Sequence, residues 1–162
     1  YDILMRAVKD LEDVYVWIAG EGPERENLEK LRTELGLDAR VRFLGWRTDR
    51  ATLLQAADIC VFASRYEPFG TVFLQAWAQG TPVIVSDADG PRQFVRHEED
   101  GLVVPVENVQ ALKEAIRRMR SDETLRALCV ENGLKRYHSA FTAEKSLSSY
   151  LDFYQKILSQ RL

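Results

Sequence analysis

Short apolar runs alternate with longer stretches of helical period along this chain, and no other feature restricts its fold as much. Runs at 14–19, 41–44, 59–63, 82–86 and 102–104 are each continuous in apolar character, the pattern of strands buried on both faces. The segments between them carry apolar residues every three or four positions, giving expected helices at 1–9, 23–35, 49–57, 71–79, 91–96, 109–120, 123–137 and 142–160. Strands separated by helices of this length form a parallel sheet covered by helices, so the fold class is α/β, Rossmann-like. Pro23 suits a first helical position, Asn108 a cap and Gly36 a helix stop. A length of 162 residues fits one domain with a sizeable core.

Charge and cysteine usage exclude several classes. A net charge of −3 gives no footing for a nucleic-acid partner, which calls for a basic excess. The two cysteines, Cys60 in an apolar run and Cys129 in a helical one, have neither metal nor redox spacing and read as reduced core thiols. No apolar run reaches membrane-spanning length. His97 and His138 lack partners for a nucleophilic triad, and His97-Glu98-Glu99-Asp100 reads as a solvated turn. Trp17 and Trp77 read as packing residues.

Chemistry concentrates at Ser64-Arg65-Tyr66-Glu67-Pro68-Phe69-Gly70-Thr71, between an apolar run and an amphipathic segment that ends at Gly80 before Pro82. Gly70 opens a helix there. The backbone N–H groups of Gly70, Thr71 and Val72 would face an anion, and the helix dipole adds to the attraction. Phe69 belongs to the same turn, its ring a core candidate and its amide a donor. A diphosphate suits that field, while Glu67 can accept hydrogen bonds from sugar hydroxyls. The alternative for Glu67 is a solvated loop carboxylate, and for Gly70 a tight turn with no ligand.

With Gly20-Glu21-Gly22-Pro23, Val41-Arg42-Phe43-Leu44-Gly45, Ala56-Ala57-Asp58, Gly80-Thr81-Pro82-Val83 and Asp100-Gly101-Leu102-Val103-Val104-Pro105, this loop resembles the retaining nucleotide-sugar glycosyltransferases of the GT-B fold. That family includes sucrose synthases and many bacterial polysaccharide and lipopolysaccharide enzymes. The resemblance covers nearly the whole chain. It implies a C-terminal donor-binding domain, residues 1–162, within a two-domain enzyme whose N-terminal domain binds the acceptor. It further implies a central first strand and a loop bearing Arg and Lys ahead of the first helix; without them, the neighbouring strands pair directly or borrow a strand.

The family's donor motif is a Glu, seven residues and a second Glu, the first touching the transferred sugar and the second the ribose. Here these positions are Glu67 and Gln75, and a further family carboxylate is Gln93. An amide lacks the charge that strengthens carboxylate hydrogen bonds. Gln75 therefore reads either as a weaker ribose contact or as a helix-surface amide. Gly45, Trp46 and Arg47 fall where the resemblance places the loop beside the nucleobase; Trp46 stacks on a base or is a loop aromatic, and Arg47 reaches base or phosphate or is merely solvated.

The implied reaction moves a sugar from a nucleotide diphosphate to an acceptor hydroxyl with retention, the donor phosphate taking the acceptor proton. Glu67 orients the sugar, and no metal or other cofactor is expected. The implied setting is polysaccharide, lipopolysaccharide or glycolipid synthesis in the cytoplasm, with peripheral association at the inner face of the membrane left open. A GT-B epimerase or phosphorylase, and a non-catalytic nucleotide-binding module, are the alternatives. The last helix carries an apolar stripe, Leu147, Tyr150, Leu151, Tyr154, Ile157 and Leu158, that docks on this domain's own core or reaches toward the partner domain.

Overall fold

A computed structural model describes residues 1–159. Along the chain run α1 (Asp2–Val8), β1 (Val16–Ala19), α2 (Arg25–Glu34), β2 (Val41–Gly45), α3 (Arg50–Ala56), β3 (Cys60–Phe62) and α4 (Thr71–Ala78). They are followed by β4 (Val83–Ser86), α5 (Pro91–Phe94), β5 (Leu102–Val104), α6 (Val109–Ser121), α7 (Glu123–Arg136), a π turn (Tyr137–Phe141) and α8 (Ala143–Ser159). Gln160, the expected last residue of the final helix, lies outside the described residues.

Every strand pair is parallel, as the alternation requires. The sheet, however, is split. β1 pairs with β2, and β3, β4 and β5 form a second leaf in that order, with no ladder between β1 and β3. Of the two expected ways to close the sheet, direct pairing of the neighbours is therefore not the one seen. The leaves are joined instead by a shared core behind them. Val16, Ile18 and Val41 from one leaf and Ile84, Leu102 and Val104 from the other pack with α1, α2 and α6.

The second core lies on the opposite face of the β3–β5 leaf, where Phe73, Ala76 and Trp77 of α4 meet Cys60, Val83 and Val85. β4 is thus buried throughout. β1 is not: Val16 and Ile18 are buried while Trp17 and Ala19 are exposed. The expectation of two-sided burial fails for β1, and Trp17, read as a packing residue, is 48% exposed, with nothing among the described residues burying it on that face of the β1–β2 leaf. Trp77 is fully buried, and its indole Nε1 donates to the Asp100 carbonyl at 2.9 Å.

Helix ends follow their residues closely. Gly36 adopts a left-handed backbone (φ +67°). Its N–H bonds Thr33 O and that of Leu37 bonds Arg32 O, the double closure that ends α2. Asn108 Oδ1 accepts from Ala111 N and caps α6. Pro23 stands two residues before α2 rather than in its first turn. The Arg40 guanidinium donates to the carbonyls of Val8, Lys9 and Leu11, satisfying the open end of α1 and fixing the entry into β1.

Two further readings are corrected. Asp100 is not part of a solvated turn: it is buried, accepts from Arg96 N, and pairs with Arg136 at 2.7 Å. α8 does not dock on this domain's core, since none of its residues is buried; Leu147, Tyr150, Leu151 and Tyr154 are all more than half exposed. No described helix is long and apolar enough to cross a membrane.

Candidate functional site

Because the strands within each leaf are parallel, the loops at 20–24 and 46–49 leave from one end of the β1–β2 leaf and those at 63–70 and 87–90 from one end of the β3–β5 leaf, and Thr48 and Thr71 line a common groove between them, at the kind of edge where open α/β folds bind ligands. The first two loops touch: Gly20 N donates to Gly45 O at 2.8 Å, and a Cβ at Gly45 would stand 3.0 Å from Glu21 Oε1.

The loop 63–70 is fastened along its length. Ser86 Oγ donates to Ser64 O at 2.6 Å, and Gly90 N donates to Glu67 O at 2.8 Å. Glu67 is half-buried, and its Oε1 accepts from Phe69 N at 3.3 Å. The Phe69 ring is 39% exposed, with its edge 4.9 Å from Phe94 by centroid, so it forms a flank of the aromatic core rather than part of its centre. Gly70 turns the chain with φ +84°; a Cβ there would stand 2.7 Å from the Phe62 ring and 3.1 Å from Glu67 Cγ. Space and backbone both demand glycine.

Gly70 is the cap residue of α4 and has no side chain to offer. Among the described residues, no hydrogen bond engages the N–H groups of Gly70, Thr71 or Val72. They remain open beside a carboxylate that lies one turn away in the loop. This is a dipolar end suited to an anion, next to an acceptor suited to hydroxyls.

Gln75 faces elsewhere. It lines a groove of about 400 Å³ between α3 and α4, bordered by Thr48, Arg50, Thr71 and Leu74. Thr71 alone among the expected site residues reaches both the open helix end and this groove. Trp46 is 77% exposed on the rim of the edge. Arg47 is held by Asp49 in a two-point pair at 2.8 and 2.5 Å, which raises the guanidinium's pKa and lowers the carboxyl's. Gln93 donates to Asp89 O at 2.7 Å. The structure thus brings Glu67, Phe69, Gly70, Thr71 and Val72 together, sets Gln75 in an adjoining groove, and leaves Gly45, Trp46 and Arg47 on the neighbouring loop.

Arg65 was not among the expected site residues. It grips Asp2 through both carboxylate oxygens at 2.8 and 2.7 Å and Glu107 at 2.6 Å. The hydrogen bonds from Arg65 hold the Asp2 carboxyl down at about 2. The pair ties the start of α1 to the loop after β3. Ser86 and Gly90 were also missed. Gly90 had a local signal, the turn Asp89-Gly90-Pro91, whereas the two partners of Arg65 lie 63 and 42 positions away and that of Ser86 22 away, and leave none.

A family model described as glycosyl transferases group 1 matches residues 1–136. Two lipopolysaccharide core biosynthesis glycosyltransferases of Rhizobium meliloti, LpsE and LpsD, are 38% and 41% identical over 99% and 98% of the chain. The chain spans 46% of each, about half the length of these curated relatives. The crystal structure of HepE from Anabaena in complex with UDP superposes with a TM-score of 0.90 at 27% identity, covering 95% of this chain and 44% of HepE. Its fold is that of a GT-B glycosyltransferase domain, and the chain belongs to the group 1 glycosyl transferases.

Proposed function

We propose that this chain holds the nucleotide-sugar donor of a retaining glycosyltransferase, with the diphosphate at the start of α4 and the transferred sugar against Glu67. The observation that carries the reading is the unengaged N–H triplet of Gly70, Thr71 and Val72 beside a half-buried carboxylate. HepE binds UDP on a similar fold, and LpsD and LpsE act in lipopolysaccharide core synthesis, which supports a nucleotide-diphosphate sugar as donor and a growing glycan as acceptor.

In this reading Glu67 orients the sugar through its hydroxyls, and the α4 amides stabilise the charge that develops on the leaving diphosphate. The departing phosphate takes the proton of the acceptor hydroxyl, so no side chain of this chain acts as nucleophile and no resident metal is needed. Gln75 and Thr48 meet the ribose from the α3–α4 groove, and Trp46 lies beside the base. The acceptor is held by a further domain of the whole enzyme, which works in the cytoplasm at the inner face of a membrane.

The test is a titration with UDP, GDP and ADP and their sugar conjugates, read by amide chemical shifts. The expected result is a response to one nucleoside diphosphate centred on Gly70, Thr71 and Val72, with added changes at Glu67 for its sugar conjugate. Absence of any response at α4 with all three nucleotides overturns the reading.

A further inference from the structure

The run that leads into Glu67 is held by one side chain. Ser64 and Glu67 are tied through their carbonyls, to Ser86 Oγ at 2.6 Å and to Gly90 N at 2.8 Å. Between them, among the described residues, no backbone hydrogen bond engages Arg65 or Tyr66, and the Tyr66 ring is exposed. What fastens this stretch is the Arg65 guanidinium, which forks between both oxygens of Asp2, at 2.8 and 2.7 Å, and Glu107 Oε1 at 2.6 Å.

The Glu107 end of that fork is held in a costly backbone. Its φ is +58°, the left-handed region that a residue with a Cβ seldom enters. Its neighbours leave it little latitude, since Val106 N donates to Asp87 Oδ1 at 2.8 Å and Asn108 caps α6. Stability does not account for the contact. Both side chains are more than half exposed, and exposed ion pairs stabilise a fold little. Backbone strain kept for a contact that adds little stability points to placement.

We infer that Arg65 is a positioning residue: by bridging the start of α1 and the β5–α6 turn, it sets where the Glu67 carboxylate, two residues on, meets the transferred sugar. The inference rests on the assignment of Glu67 to that sugar under the proposed function, and in it Arg65 touches no ligand. The α4 amides lie beyond the Gly90 bond to Glu67 O, so their hold on a bare nucleoside diphosphate does not depend on the fork.

The separating variant is Glu107→Gly, which removes the carboxylate and relieves the left-handed backbone together. It is expected to melt within about 2 °C of the parent. In the full-length enzyme it should nevertheless release nucleoside diphosphate from UDP-, GDP- or ADP-glucose about ten- to a hundredfold more slowly, the effect of a misplaced group at the reacting centre. Affinity for the bare nucleoside diphosphate stays at the parent value. Arg65→Met shows the same split, and Arg65→Lys, which keeps the charge but not the planar fork, recovers only part of the loss. A ligand-free arm reads the Phe69 amide, which donates to Glu67 Oε1. Its chemical shift in Glu107→Gly moves toward the value in Glu67→Ala, while the Gly90 amide keeps its exchange rate.

Parent-like turnover or an unmoved Phe69 amide in Glu107→Gly overturns the inference. So does full recovery in Arg65→Lys, which would make charge alone sufficient, or an equal loss of nucleoside-diphosphate affinity in Arg65→Met, which would make Arg65 a ligand contact. If Glu67→Gln itself leaves turnover unchanged, the sugar assignment of Glu67 fails and this inference with it; if Glu67→Gln lowers turnover and Glu107→Gly does not, this inference fails alone.

Discussion

The Gly90 amide donates to the Glu67 carbonyl at 2.8 Å, so the loop that presents the carboxylate is laced to the next loop along the same edge of the sheet. The lacing is tight enough that a Cβ on Gly90 would stand 2.5 Å from the Phe69 nitrogen. Backbone on both sides leaves no flexible atom to yield.

Gly90→Ala is therefore expected to displace the 63–70 loop and to cost about 1–3 kcal/mol, the usual penalty for overpacking. Urea denaturation measures the loss. Titration with the responding nucleoside diphosphate should show a parallel fall in affinity, because the α4 amides move with the loop.

Glu67→Gln in the full-length enzyme should lower sugar transfer about ten- to a hundredfold, the worth of a charged hydrogen bond of about 1.5–3 kcal/mol. Calorimetry with the bare nucleoside diphosphate should show nearly unchanged affinity. Equal losses in both would move Glu67 from the sugar to the nucleotide or to loop support. The companion change Gln75→Glu should tighten nucleotide binding if that side chain meets the ribose.

Arg136 pairs with buried Asp100, also donates to Phe94 O, and lies with its guanidinium 5.3 Å from the Trp77 ring centroid. Removing one partner of a buried pair strands the other, at about 3–5 kcal/mol. Arg136→Met should show that loss in chemical denaturation, and the double variant with Asp100→Asn should recover part of it.

Acid stability has a sign fixed by Asp2. Its folded pKa, about 2 against an ordinary 3.8, means that the pair with Arg65 contributes fully above pH 4 and is lost as pH falls toward 2. Both side chains are substantially exposed, so the contribution is about 0.2–1 kcal/mol. Melting curves of Asp2→Asn should lie about 1–3 °C below the parent at pH 6 and converge with it near pH 2. A gap that stays constant across that range would contradict the assignment.

Burial pushes the Cys60 thiol up to about 12 and, as the main cause, the Cys129 thiol up to about 11. The thiolate is the reactive form. Iodoacetamide at pH 8 should leave both cysteines unmodified in the folded chain and label both in denaturant, as counted by mass spectrometry.

The five strands were legible from apolar runs alone, and each lies within its expected stretch or extends one residue past it. What the runs hid was coverage. Trp17 counts as apolar whether or not anything lies over it, so β1 read as buried on both faces when only one is packed. Asp100 hid for the converse reason: its burial depends on Arg136, distant in sequence and close only after α7 has folded back. The 63–70 loop was legible because its glycine, carboxylate and helix start are contiguous. The orientation of Gln75 was not, since the groove it faces is made with α3, a separate element.

Arg47, Arg65 and Arg92, three of the cations around the candidate donor loop, are each engaged by acids of this same chain, namely Asp49, Asp2 with Glu107, and Asp89. The rim therefore has its counter-ions built in. An arriving dianion gains one of these three guanidinium groups only by evicting a carboxylate, so its affinity for that guanidinium is a difference between two ion pairs rather than the strength of one. The exchange leaves a displaced carboxylate near the ligand, and discrimination among ligands of equal charge then falls to the uncharged amides at the start of α4, which have no internal competitor.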